Sequence, residues 1–179
     1  MVTKVADVRD IVKTGVTSPR NAFPVIKALA KSEDWVEREV SATALVEISK
    51  KRADKITAEM LIWSQDRNAN VRRTASEGLR HVARKNPQQV LPILEQLNTD
   101  SSLYVRKSVA NVLRNAGNYD PDFVLDVCSR WATMGDPNTN WIIRDGLRKL
   151  KASRPTEVNN IVSSLRLKDT RRKSVLSGK

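Results

Sequence analysis

The chain contains one cysteine, Cys128, and one histidine, His81, among 179 residues. A lone cysteine excludes an internal disulfide, and with a lone histidine it excludes a cysteine cluster or a Cys/His metal set. No apolar run approaches the ~20 residues of a membrane-spanning helix, and the N-terminus lacks the apolar core of a signal peptide. These absences lead us to expect a cytoplasmic protein in a reducing setting, with no metal, no cofactor and no membrane.

Acid is also scarce. There are 20 Asp and Glu against 32 Lys and Arg, giving a formal charge of +12. Such an excess favours an anionic partner through long-range attraction and counterion release. A solvated basic surface would leave the same signature. Hydrophobic residues make up 40% of the chain, which is ordinary for a soluble protein, and the length suits one domain with a continuous core.

What the chain does have is self-similarity. The stretch from Asp66 to Leu79, DRNANVRRTASEGL, is restated from Asp100 to Leu113 as DSSLYVRKSVANVL and from Ser32 to Leu45 as SEDWVEREVSATAL. Its anchors recur every 34 residues as Ser32/Asp66/Asp100, Arg38/Arg72/Arg106 and Leu45/Leu79/Leu113. A looser copy, DPNTNWIIRDGLRKL, starts at Asp136 and reads as though extra residues precede its arginine. A fixed period of this length marks a solenoid of stacked units, each unable to bury its apolar face alone.

Apolar periodicity divides each unit into two helices, A and B. A capping helix is expected over 4–14, where Val5, Val8 and Val12 share a face. The first A helix follows over about 19–31, with Ser18 as N-cap and Pro19 at its start. The first B helix runs from about Glu33 to Lys50, with Val36, Val40, Ala44, Leu45 and Ile48 inward. RADKIT, KNPQQ and NAGNYDP read as linkers, and a closing helix is expected over 155–166. Ile26, Met60, Leu94 and Cys128, like Leu29, Trp63, Leu97 and Trp131, fall at one repeat position and read as the buried seam. Residues 1–167 are thus expected to form a single repeat domain, and 168–179 a basic, flexible tail.

The period also suits tetratricopeptide repeats, but their Trp-x2-Leu-Gly-x2-Tyr signature is missing. An Asp in the turn and an Arg six residues later, as in Asp66/Arg72 and Asp100/Arg106, resemble HEAT repeats instead, where the two residue types form a ladder along the stack. A carboxylate near helix N–H groups can be bridged by a guanidinium. The expected fold is therefore all-α, a right-handed α-solenoid of about four HEAT-like pairs with capping helices. The ladder arginines then serve the fold, and the residues beside them, Arg73 and Lys107, turn outward. Together with Arg80, Arg114, Arg144 and Arg148 they would line the B-helix face as a basic groove. Asp34, Glu37 and Glu39 add acid at one end.

Taken together, Trp63-Ser64-Gln65-Asp66, Val71-Arg72-Arg73, Ser76-Glu77-Gly78-Leu79-Arg80, Tyr104-Val105-Arg106-Lys107-Ser108-Val109-Ala110-Asn111 and Trp141-Ile142-Ile143-Arg144 resemble the AlkC/AlkD-type DNA alkylation-repair proteins, closest to the AlkC branch. The likeness covers roughly 20–150. It implies a superhelical protein that grips duplex DNA as a monomer and would associate with the nucleoid. Enzymatic members of that family remove cationic N3- and N7-alkylpurines without rotating them out of the stack. Carried over, Arg73 would contact DNA near the lesion, Asp34 would be the cation-stabilising carboxylate, Trp35 the aromatic wall, and Glu37 the alternative acid. Lys107, Arg114, Arg144 and Arg148 would hold phosphates.

The chain departs from the AlkC branch after Arg80, where His81-Val82-Ala83-Arg84-Lys85-Asn86-Pro87 replaces a loop bearing an active-site tryptophan. It lacks an acid after its SVAN run, and Asn111 stands where the AlkD branch has a tryptophan. Two alternatives therefore accompany an alkylpurine glycosylase: a non-catalytic binder of DNA structure, and a HEAT-type scaffold for an acidic protein.

Overall fold

The computed structural model describes residues 8–165. Val5 and the segment 168–179 lie outside the described residues. Every regular element described is helical: α1 (Val8–Thr17), α2 (Pro19–Ala30), α3 (Trp35–Trp63), α4 (Ala69–Glu77), α5 (Arg80–Lys85), α6 (Pro87–Leu97), α7 (Leu103–Gly117), α8 (Pro121–Ala132) and α9 (Pro137–Gly146), followed by a helix over 155–165. None of these helices is long and apolar enough to cross a membrane.

Single residues make the corners between repeats. Ser18, Asn86 and Asp120 each precede a proline and take nearly the same extended conformation, with φ/ψ of −140/74, −148/81 and −137/79. A proline ring crowds the residue before it out of the helical region, so one helix ends and the next begins within one step. Arg52 occupies the equivalent place at φ/ψ −133/45 but is followed by Ala53, and the corner sits inside an otherwise continuous α3. The expected RADKIT loop is therefore a one-residue kink, tied down by Arg52 Nε donating to the Val16 carbonyl at 2.8 Å.

The fourth unit also corrects the reading made from sequence. Asp136 is the N-cap of α9, its Oδ1 accepting from the amides of Asn138 and Thr139 at 2.9 Å each. Asp34, Asn68 and Ser102 hold the N-cap position of α3, α4 and α7. Asp136 thus corresponds to Ser102, not to Asp100, and the turn before α9 is no longer than its counterparts. Gly135, just ahead of that cap, sits at φ 68, a left-handed conformation that a side chain would strain. Pro155 likewise continues the series Pro87 and Pro121, so the helix over 155–165 is the A helix of a further unit.

The core follows the expected seam. Ile26, Met60, Leu94, Cys128 and Trp63 are fully buried, and Trp131 nearly so. Burial pushes the Cys128 thiol up to about 12, which leaves it an inert filler. Three expected inward residues are not fully core. Val36 is exposed in the first turn of α3, and Leu29 and Val40 are only partly buried. Helix B of the second unit splits at Gly78 and Leu79, where the chain tightens against α3. A Cβ at Gly78 would come within 2.8 Å of Leu45 Cβ. Small residues bring the B helices close elsewhere too: the buried Ser76 and Ser108 hydroxyls share a short hydrogen bond between α4 and α7. The B helices α3, α4, α7 and α9 pack directly on one another, whereas the A helices α6 and α8 scarcely touch. The stack therefore curves around its B-helix face.

One ion pair ties these layers together. Arg72 Nε and Nη2 donate to the two oxygens of Asp100 at 2.6 and 3.1 Å, and Nη1 donates to the carbonyls of Asp66 and Arg67 at 2.9 and 3.1 Å. Asp100 also accepts from the Ser102 amide at 2.8 Å. The other rungs are variants of this one. Lys27, in place of Arg38, bonds Asp66 at 2.8 Å. Arg38 instead donates to the carbonyls of Ser32 and Glu33 at 2.8 Å. Arg106 bonds the Asn138 side chain, because no aspartate occupies the fourth ladder position. Burial pushes the Asp66 carboxyl up, but the Lys27 bond, the Asn68 amide and the charges of Lys27 and Lys31 outweigh it and hold it below the usual range. Its contribution to stability is complete above the ordinary aspartate value and is lost as pH falls through the lowered one.

The side chains of the Arg72–Asp100 pair are 18% and 6% exposed, so breaking it leaves a largely desolvated charge. Arg72→Ala and Asp100→Ala should each cost about 3 kcal/mol in urea unfolding, and the double variant clearly less than their sum. Lys27→Ala, at a more exposed rung, should cost no more than about 1 kcal/mol.

Candidate nucleic-acid interface

The exact repeat sets the side chains of successive B helices in rows. One row is Glu39, Arg73, Lys107 and Trp141; the next is Thr43, Glu77, Asn111 and Asp145; the third is Val46, Arg80, Arg114 and Arg148. Positions three and four apart on a helix are neighbours, so two rows rich in cations flank a middle row that carries two carboxylates. Neighbouring helices stand about 8–10 Å apart, which sets the spacing along each row.

The cations divide by what they already do. Arg114 is ion-paired with Asp145 of the next helix, with its side chain 14% exposed, and its Nη2 reaches Asn111 Oδ1 at 3.4 Å. Its charge is largely used within the stack. Arg80 lies 3.5 Å from Glu77 and 3.9 Å from Glu39. Arg148 is 70% exposed and 3.7 Å from Asp145, so it retains reach. Lys107 is exposed, with its Nζ 5.9 Å from the Tyr104 ring centroid. Arg73 follows the ladder residue Arg72 and forms no ion pair with the described residues, though its charge acts on Glu77. Arg144 is exposed at the end of α9, where it lines a cavity of about 330 Å³ with Arg148 and Lys151 over Leu147, Val158 and Val162.

The acidic and aromatic candidates fall elsewhere. Asp34 is the exposed N-cap of α3, its Oδ1 accepting from the Val36 amide at 2.9 Å. Trp35, the first residue of α3, is 70% exposed. Both stand at the rim where B helices begin, more than a turn before the position that Arg73 occupies in its own helix. Glu37 is half-buried in the same first turn. No cluster of three or more His, Cys, Asp or Glu among the described residues could hold a metal ion.

Glu77 is the residue that the sequence reading passed over, although it stood inside the quoted Ser-Glu-Gly run. Its side chain is 14% exposed. Burial pushes its carboxyl up, opposed by the charges of Arg80 and Arg73, reinforced by Glu39 and opposed again by Arg114. The signal was its spacing: four residues after Arg73 and three before Arg80, it shares their helix face. A half-buried carboxylate ringed by cations can hold a positively charged group or take a proton from a water.

An all-helical stack with a cationic face around a shielded carboxylate defines a helical-repeat protein suited to an anionic polymer. Residues 41–150 match the model of the DNA alkylation repair enzyme family, and the chain belongs to that family. It resembles the Pseudomonas fluorescens alkylpurine DNA glycosylase AlkC, whose structure was solved bound to DNA containing an abasic-site analogue. The TM-score is 0.73 and the identity 29%, over 86% of this chain and 44% of that one. Streptococcus mutans AlkD2 superposes with a TM-score of 0.64 at 28% identity, over 73% of this chain and 66% of AlkD2. The uncharacterized protein YhaZ of Bacillus subtilis (strain 168) is 42% identical over 106 residues, which is 54% of this chain and 29% of YhaZ. The chain thus spans less than half the length of AlkC and of YhaZ.

A raised carboxyl costs the fold stability wherever it is ionised, and that cost fades as pH falls through the raised value. Glu77→Gln should therefore hold or raise the melting temperature at neutral pH, within about 1 kcal/mol. The difference from the parent should shrink in thermal melts at progressively lower pH. A large loss of stability would make Glu77 a structural residue.

Proposed function

We propose that the B-helix face grips duplex DNA and that the protein excises N3- and N7-alkylated purines from it. The observation that carries this reading is Glu77, a carboxylate kept half-buried at some cost in the middle of the cationic rows. Arg73 and Lys107 are the phosphate contacts nearest to it, with Arg144 and Arg148 further along the duplex. Membership of the family and the likeness to a DNA-bound relative support the choice of DNA over an acidic protein.

An alkylated purine already carries positive charge, so its glycosidic bond is primed to break. The bonding electron pair returns to the base, which leaves neutral, and positive charge develops on the sugar. A water then bonds to the sugar carbon and gives up a proton. Glu77 suits both halves of that reaction. Its negative charge offsets the growing cation in a poorly solvated site, and its raised carboxyl is a better proton acceptor than an exposed one. Asp34 suits them less, because its oxygen already caps α3 at an exposed rim where high dielectric weakens its field. We therefore give Glu77 the carboxylate role and leave Asp34, Trp35 and Glu37 as rim contacts. In this reading residues 1–167 act as one monomeric unit, and the basic segment 168–179 adds phosphate contacts.

A second reading, DNA binding without excision, is favoured by the scarcity of aromatic residues near Glu77. Trp141 is the one aromatic in the three rows; it lies two repeats away, with the Arg106 guanidinium 5.8 Å from its ring.

Release of 7-methylguanine from alkylated duplex DNA separates the two. Excision should be abolished by Glu77→Gln and largely retained by Asp34→Asn; no release at large enzyme excess leaves the binding reading alone. Binding should weaken with salt at a log–log slope of about −0.9 per phosphate contact. Arg73→Glu with Lys107→Glu should weaken it more than Arg171→Glu with Arg172→Glu; the opposite order would remove the B-helix face as the site.

A further inference from the structure

The opposite side of the stack carries a second surface. A trough runs along the seam between α2 and the second half of α3, both of them A helices. One recess of it, about 560 Å³, is lined by Pro19, Phe23, Ala58 and Ile62, together with Arg20 and Lys55. Ile62 is 63% exposed, a large apolar side chain with no cover among the described residues. The trough continues past Pro24 and Lys27 in a recess of about 480 Å³, and then past Lys31 and Arg67 in another of about 530 Å³.

Cations predominate along it. Of its two carboxylates, Asp66 is bonded to Lys27 at 2.8 Å, and Glu59, which keeps its charge, is held by the Trp63 indole N–H at 2.7 Å. Arg20, Lys55, Lys31 and Arg67 form no ion pair with the described residues, so they present cations on both walls. The trough thus offers an apolar pocket of side-chain size followed by a basic track. α2 is 12 residues long, so the track extends about 18 Å, enough for five or six residues of extended peptide at about 3.3 Å each.

We propose that this A-helix trough docks an acidic segment of another protein, anchored by one or two apolar side chains over Phe23 and Ile62. Charge complementarity selects that occupant. The chain's own 168–179 segment carries Lys168, Arg171, Arg172, Lys173 and Lys179 against Asp169, and cations would meet cations. A second copy related by two-fold symmetry would set the same basic track against itself. Nucleic acid lacks the apolar side chain that the floor fits. The partner would therefore be held on the outside of the curve while the B-helix face remains open, a division that requires an acidic peptide and DNA to bind together.

The test uses the full chain and a fluorescein-labelled peptide, Glu-Glu-Glu-Leu-Phe-Glu-Glu-Glu, followed by anisotropy at moderate salt. Saturable binding is expected, weakened about tenfold by Arg20→Glu with Lys55→Glu and by Ile62→Asp. Replacing Leu-Phe by Ser-Ser in the peptide should weaken it similarly. Arg73→Glu with Lys107→Glu should leave it unchanged, and saturating duplex DNA should not displace the peptide. All these positions are exposed or partly so, and a melting curve for each variant checks that it is folded. Displacement by DNA, indifference to the trough substitutions, or no binding at about 1 mM protein would each overturn the proposal. None of these results depends on whether the B-helix face excises a base.

Discussion

The Arg72–Asp100 pair is the constraint on which the rest of this structure depends. A solenoid has no long-range contacts to correct an error, because each unit touches only its neighbours. Its curvature is therefore set unit by unit. Arg72 acts at both levels at once. Through Nη1 it satisfies the carbonyls of Asp66 and Arg67 in the turn of its own unit, and through its other two nitrogens it clamps the turn of the next. A point charge such as lysine could make either contact but not hold the plane of both. The outward direction of Arg73 follows, since adjacent helical residues point about 100° apart. The cation we propose for DNA contact is thus aimed by the structural one.

The variation among the rungs has a physical logic. Lys27 reaches Asp66 from the neighbouring A helix, and the Arg38 guanidinium is left to its own turn with a buried Nε that has no hydrogen-bond partner among the described residues. In the fourth unit Met134 stands where an aspartate would, and Arg106 turns to Asn138 and the face of Trp141. The rung in which an arginine grips both oxygens of a carboxylate sits in the middle of the stack, where both neighbours are present. Toward the ends, more exposed rungs make do with a lysine or an amide.

Much of the fold could be read from spacing, because a repeat states each of its requirements several times. Leu45, Leu79 and Leu113 predict one another, and Leu147 joins them once α9 is placed. The readings that failed are those where one copy solved the problem differently. Ala53 in place of a proline hid the corner at Arg52, which only the backbone reveals. Asp136 looked like the ladder aspartate because the motif Asp-x-x-x shares its residue type with an N-cap; capping geometry, not residue type, distinguishes them. The candidate site was less legible. Arg73 and Arg114 look alike in the sequence, but the identity of residue 145, one repeat further on, decides that Arg114 is consumed. Glu77 was passed over because a carboxylate among cations reads as charge balance until its burial is known.

Burial raises the question of why a carboxylate is there at all. The same position holds Thr43 in the preceding unit, Asn111 in the next and Asp145 in the fourth, so packing alone does not demand an acid. Asp145 is accounted for by the stack: Arg114, one unit back, reaches across to it. The corresponding partner of Glu77 would be residue 46, which is Val46 and brings no charge. Glu77 instead has Arg80, at the start of α5 in its own unit, at 3.5 Å, and Arg80 already has Glu39 within reach. Removing the carboxylate would leave no cation stranded, while keeping it costs the desolvation that raises its proton affinity. A carboxylate whose ion pair with Arg80 does not offset its desolvation, at a position that three other units fill differently, is what the proposed role in holding a cation would require.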